Sequence, residues 1–338
     1  MIRTKLIRRK PLKHDKERPR RRERRQATGA HSLTICIAAL ADSGNAVVCV
    51  ADKMLSFGDY SQWESDVTKI VRIPKTAEMD TYALMAGGLG ECEAVLNEIY
   101  GIGNLDDSVL GLTSYLERIF QEKFSHFQEI EVLHKRGISK EAYERAIASP
   151  SVSPPMQEIY DNMKRFYFDC DVILCGINNS YRPYIISAAP PGKAFDLTRQ
   201  GYSSIGIGAD IANSRLLWSG YKRVHSIGRV LFDVFDAKAN AEMSPGVGFS
   251  WDGVVIFADD GKAYSVPKRI KELIERSWDQ HNRSPFEEWN PDEDLPPPEE
   301  GWKDKILALS KSDLELTKDW LFPQSTTDDR PPPPPSLG

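Results

Sequence analysis

No apolar run in this chain approaches the ~18 to 20 residues that a membrane-spanning helix needs, which excludes an integral membrane protein built on such helices. Cysteine is scarce: Cys36, Cys49, Cys92, Cys170 and Cys175 are the only five in 338 residues. Their odd number and the lack of any CxxC spacing exclude a disulfide scaffold and a zinc module. The six histidines (His14, His31, His126, His134, His225, His281) show no metal-ligand spacing either, so neither a metal nor another cofactor is expected. The string GIGADIANS lacks the third glycine and the βαβ context of a dinucleotide site. The N-terminus has no apolar core segment, which excludes a secretory signal and makes a reducing cytoplasm the expected compartment.

Charge is present, but unevenly. Residues 1–27 hold 13 Lys and Arg against the three acids Asp15, Glu17 and Glu23, a net +10, within a chain of net charge −5. The remainder therefore carries −15. An acidic body repels phosphate and disfavours nucleic acid, leaving only the basic arm suited to such a partner.

Composition divides the chain in three. Residues 1–30 hold almost no aromatic or β-branched side chains, cannot offset their ordering entropy, and read as a disordered basic extension. Three explanations stay open: a removable propeptide, a binding or targeting arm, and an unused upstream start. Residues 271–338 read as an acidic, proline-rich, mostly disordered tail, since eleven of the 22 prolines follow Arg283. Within it, Trp302 to Trp320 spaces Ile306, Leu309, Leu314 and Leu316 loosely as a docking helix, against the plainer reading of a solvated tail.

Residues 31–270 form the body. Thr34 to Leu40 and Ala46 to Ala51 are apolar strands around the turn Asp42-Ser43-Gly44-Asn45, which predicts a buried hairpin. Thr68 to Ile73 and Thr81 to Ala86 make a second strand pair. Gly87-Gly88 ends it, and helices follow through Cys92 to Ile99 and from Asp106 to about Phe127. Residues 128–168 read as a polar helical elaboration. Strands return at Asp171 to Ile177, Arg182 to Ser187 and Tyr202 to Gly208. Helices at Asp210 to Trp218 and Arg223 to Ala239 then precede a last strand, Gly253 to Ala258. Blocks of hairpins alternating with helix pairs predict an α+β fold: a four-layer α/β/β/α sandwich with two antiparallel sheets.

The stretch TICIAALADSGNAVVCVADKMLSFGD, then DVTKIVRI and LMAGGLGE, resembles the proteasome β-type branch of the N-terminal nucleophile (Ntn) hydrolases, including bacterial proteasome-like rings. SSIGIGADIANSRLL and WDGVVIFADDG extend the resemblance over roughly Thr34 to Val266. It implies a peptide- or protein-cleaving homo-oligomeric ring, with Thr34 as nucleophile once the preceding residues are removed. Asp52 would orient Lys69, Lys69 would activate the hydroxyl, and Gly87 would offer its N–H to the oxyanion. In that mechanism the freed α-amine, with an ordinary pKa of ~7.7 to 8.0, takes the proton.

Two rivals to Thr34 lie nearby. Ser32 sits 20 residues before Asp52, against 18 for Thr34, which fits the family spacing better. Cys36 lies two residues farther into the strand, where a thiol is usually inert. The sequence also departs from the pattern. Leu33 replaces the usual glycine before the nucleophile, and Ile207 stands where the family has a serine. AEMSPGVGFSWDG keeps Ser244 and Gly246, with Glu242 as the nearest acid. These departures favour the alternative, a catalytically inactive proteasome-like scaffold that acts through its charged tails.

Overall fold

The computed structural model describes residues 34–57, 61–64, 68–73, 81–101, 108–259 and 261–282. The basic extension, Ser32, the Pro74 to Asp80 connection and the proposed Trp302 to Trp320 helix lie outside these residues.

The first hairpin forms as its sequence dictates. Strands β1 (Ile35–Ala41) and β2 (Ala46–Asp52) are buried along their whole length, because both of their faces are covered. Ile35, Ile37, Ala39 and Ala41 point to a helical layer, whereas Cys36, Ala38 and Leu40 point between the sheets. The turn between them carries Asp42, Ser43 and Gly44 at positive φ. β3 (Met54–Phe57) and β4 (Ser61–Glu64) form a separate two-stranded hairpin that the sequence did not announce.

The second sheet begins with β5 (Ile70–Ile73) and β6 (Thr81–Gly87). α1 (Leu89–Ile99) and α2 (Val109–Gln128) follow. Ser108 caps α2 by accepting the Gly111 amide at 3.0 Å, and the stripe Leu112, Leu116, Ile119 and Phe120 packs on the sheet. A π-helical turn at Glu129–Leu133, α3 (Lys140–Ile147) and α4 (Pro154–Arg165) gather around Val132, Leu133, Tyr143 and Ile159, apart from the main core.

β7 (Cys170–Ile177), β8 (Pro183–Ala189) and the unanticipated β9 (Lys193–Asp196) complete the second sheet, in the order β5-β6-β7-β8-β9. β10 (Tyr202–Gly206), α5 (Ala209–Trp218) and α6 (Ile227–Ala241) come next. Ser226 accepts the Arg229 amide and so starts α6 four residues later than its apolar periodicity alone suggests. β11 (Trp251–Phe257) and β12 (Ala263–Ser265) finish the first sheet, ordered β10-β1-β2-β11-β12.

Every strand pair is antiparallel. One apolar cluster lies between the two five-stranded sheets, another joins α5 and α6 to the first sheet, and a third joins α1 and α2 to the second. This is the expected α/β/β/α sandwich. α7 (Lys268–Asn282) extends the packed body past residue 270: Ile274 enters the core, and Trp278 Nε1 donates to Asp236 Oδ1 at 2.9 Å.

Two predictions follow from the layers. Leu40 lies almost fully buried between the sheets. Leu40→Ala should cost about 2 to 5 kcal/mol in urea unfolding, from lost transfer energy plus the cavity. Asp171, paired with Ala86, is raised to about 6, chiefly by burial and secondly by Asp169. Its ionisation opposes folding: the penalty is absent below about pH 4 and complete above about pH 6. Asp171→Asn should therefore stabilise the protein at pH 7 by on the order of 2 kcal/mol. Thermal unfolding from pH 4 to 7 would show a smaller decline in the variant than in the parent.

Candidate active site

Three of the four expected site residues converge. Thr34 stands just before β1 and Asp52 ends β2, so the hairpin register brings them together across 18 residues of sequence. Lys69 immediately precedes β5 in the opposite sheet. The Thr34 hydroxyl donates to Asp52 Oδ1 and accepts from Lys69 Nζ, while Lys69 Nζ also donates to Asp52 Oδ1 at 2.8 Å. A hydroxyl held between an ammonium and a carboxylate is polarised in the sense that nucleophilic chemistry needs.

Asp52 is the hub. Its Oδ1 also accepts the Ile35 amide at 3.0 Å, and its Oδ2 accepts the amides of Met54 at 3.2 Å and Gly248 at 3.0 Å. An anion buried this deeply persists only when such donors replace water. The Met54 and Gly248 donors belong to segments that no sequence motif singles out.

Gly87 joins the group through the backbone. It ends β6, where the Met85 amide donates to the Lys69 carbonyl at 3.3 Å and the Met85 carbonyl accepts Cys36 Sγ at 3.5 Å. A Cβ at Gly87 would collide with the Asp169 carbonyl, with Cys170 Cα at 2.7 Å and with Cys92 Sγ at 2.8 Å. Only glycine fits where β6 turns into α1. Gly206 is a further requirement: at φ +96°, a side chain there would strike the Thr34 carbonyl and lie 3.0 Å from its methyl. The I-G of SSIGIG carried that signal.

The rivals and departures also find places. Cys36 is fully buried, and burial pushes its thiol far above the usual range despite the opposing field of Lys69. It is a packing residue, not a nucleophile. Ile207 packs against the helix-side core instead of presenting a hydroxyl. Glu242 is engaged by Lys238 at 2.5 Å, so it does not stand in for the absent aspartate.

No protein-family description matches the chain, and no curated protein matches it. Solved structures do. Anbu (ancestral beta-subunit) from Yersinia bercovieri aligns with a TM-score of 0.54 at 12% identity, over 76% of this chain and 98% of that one. A Gly-1 mutant of Anbu from Hyphomicrobium sp. strain MC1 gives 0.52 at 15%, over 76% and 99%. The helical assembly of the Anbu complex from Pseudomonas aeruginosa gives 0.51 at 16%, over 75% and 98%. These likenesses correct the resemblance drawn from sequence, which was to proteasome β-subunits and bacterial proteasome-like rings. The Asp, Lys and Gly-Gly spacings describe a hairpin and a strand–helix turn, and such local features do not separate one branch of the fold from another. The structural neighbours are Anbu proteins, and the chain has their proteasome-related fold.

Proposed function

We propose that the chain is a threonine-type amide hydrolase, cleaving peptides or proteins with Thr34 as an N-terminal nucleophile. The observation that carries this reading is the Thr34–Lys69–Asp52 contact, in which one hydroxyl meets both a buried carboxylate and an ammonium from the opposite sheet. Removal of the residues before Thr34 frees its α-amine, whose ordinary pKa of ~7.7 to 8.0 suits a base near neutrality. The amine takes the hydroxyl proton as Oγ1 attacks the substrate carbonyl. Lys69 stabilises the negative charge developing on Oγ1, and Asp52 holds Lys69 in place. The Gly87 N–H is assigned to the oxyanion. Collapse of the tetrahedral adduct expels the amine half of the substrate and leaves an ester on Thr34, which water then hydrolyses. In this scheme residues 1–30 are a removable extension to the 31–270 body, and residues 271–338 an appended tail.

A β-lactone or vinyl-sulfone probe with peptide mapping tests the scheme. An adduct on a mature Thr34 is expected, and Thr34→Ala should abolish it without unfolding the chain. Lys69→Ala should slow it by at least about 100-fold, the scale of losing one electrostatic stabiliser. Protein that retains residues 1–33 and forms no adduct would return the chain to the scaffold reading, which Ile207 and the occupied Glu242 favour.

The chain is further proposed to self-associate into a homo-oligomer. Leu217 and Trp218 on α5 are 68% and 86% exposed, a neighbouring pair of large apolar side chains suited to burial against another copy. Multi-angle light scattering should give a multiple of the 38.1 kDa chain mass, and a stable monomer would end this proposal.

A further inference from the structure

A buried cation lies behind the candidate site, outside the three-residue contact. Lys238, in the last turn of α6, has 0% of its side chain exposed. Its Nζ donates to Glu242 Oε1 at 2.5 Å and to the Phe249 carbonyl. α6 packs across β1 and β2, the strands that present Thr34 and Asp52.

The second of those bonds matters for the site. Phe249 directly follows Gly248, whose N–H donates to Asp52 Oδ2 at 3.0 Å. Ser250 comes next, and its carbonyl accepts the Lys53 amide at 3.0 Å. Three successive residues are thus pinned in turn to Asp52, to Lys238 and to the residue after Asp52. The Phe249 side chain is itself exposed, so its packing does little to hold this segment. The carbonyl bond from Lys238 is the tie that reaches it from the helix layer.

A lysine near a helix C-terminus is favourable to that helix in any case, and an i,i+4 partner adds to this. Neither effect calls for complete burial, which is costly for an ammonium unless its hydrogen bonds are satisfied. We propose that Lys238 is a positioning residue for the site: by holding the Phe249 carbonyl it keeps the Gly248 N–H on Asp52 Oδ2. Asp52 is thereby fixed for Thr34 and Lys69. The kinetic half of this inference rests on the amide-hydrolase reading, while the structural half does not.

The test pairs two measurements on the full chain: saturation kinetics of Thr34 acylation by the β-lactone, and hydrogen exchange of the Gly248 amide. Lys238→Met keeps the length and apolar stem but removes the donor. It should lower the maximal acylation rate about tenfold, the scale of losing one hydrogen bond to a charged group, with half-saturation unchanged. Exchange at Gly248 should quicken by about the same factor, while the amides of β1 and β2 stay protected. Lys238→Gln, with a shorter neutral donor, covers the case in which the first variant does not fold, and the same direction is expected. Glu242→Gln removes the ion pair and leaves the carbonyl bond, so both readouts should match the parent. If Lys238→Met or Lys238→Gln folds and behaves as the parent, the proposal is overturned. A Glu242→Gln that reproduces the Lys238 effects would overturn it too, by assigning them to the ion pair. Should the parent itself form no adduct, the hydrolase reading fails, and Gly248 exchange alone then decides whether Lys238 acts as the tie.

Discussion

The ion pair between Asp52 and Lys69 is the constraint on which the rest of the site depends, because its partners come from different sheets. Asp52 closes a strand of the first sheet, and Lys69 leads into the edge strand of the second. Two charges brought out of water lose several kcal/mol of hydration each, which their attraction offsets only with good geometry and further hydrogen bonds. Asp52 receives those bonds from the amides of Ile35, Met54 and Gly248. The sheets must therefore face each other in one register at this end of the sandwich. The Thr34 hydroxyl then falls between ammonium and carboxylate with no further device.

The apolar layers make that register possible. Cys36, Ala38 and Leu40 of β1 and Val47, Cys49 and Ala51 of β2 form one inner face, opposed by Leu84, Ala86, Ile173 and Cys175 of the second sheet. Small side chains on both sides let the sheets approach closely: Cys49 and Cys175 stand Sγ to Sγ at 3.4 Å, and both remain free thiols. Since each sheet is also covered outside by helices, a shift of one residue in β1 would exchange its two buried faces and misplace Thr34. Glycine serves the same end at Gly87 and Gly206, where the chain passes too close to backbone for any side chain.

Much of this was legible in the chain. The alternation and β-branching of β1 and β2, the turn at Asp42 to Asn45 and the helical stripes fixed the order of elements, and hence the layered architecture. The spacing of Thr34, Asp52 and Lys69 was legible as well, since an antiparallel hairpin converts an 18-residue separation into contact. Less legible were β3, β4 and β9, which are short and carry little of the alternation that marks a half-buried strand. α7 was hidden for another reason: charged residues dominate it, and its docking rests on a few side chains such as Ile274 and Trp278. The branch of the fold was misread, because motifs shared across a fold carry no information about which branch holds them.

The sequence alone determined the local elements and their order, since periodicity, turn chemistry and apolar content act between near neighbours. Tertiary structure decided which side of Asp52 each donor occupies, that Gly248 reaches it across 196 positions, and that Ile207 faces the core. It also decided that Lys238 is wholly buried, although its sequence surroundings mark it only as a lysine near a helix end. Such pairings arise when distant segments are packed together, and their energies depend on burial and angle, which no spacing along the chain encodes.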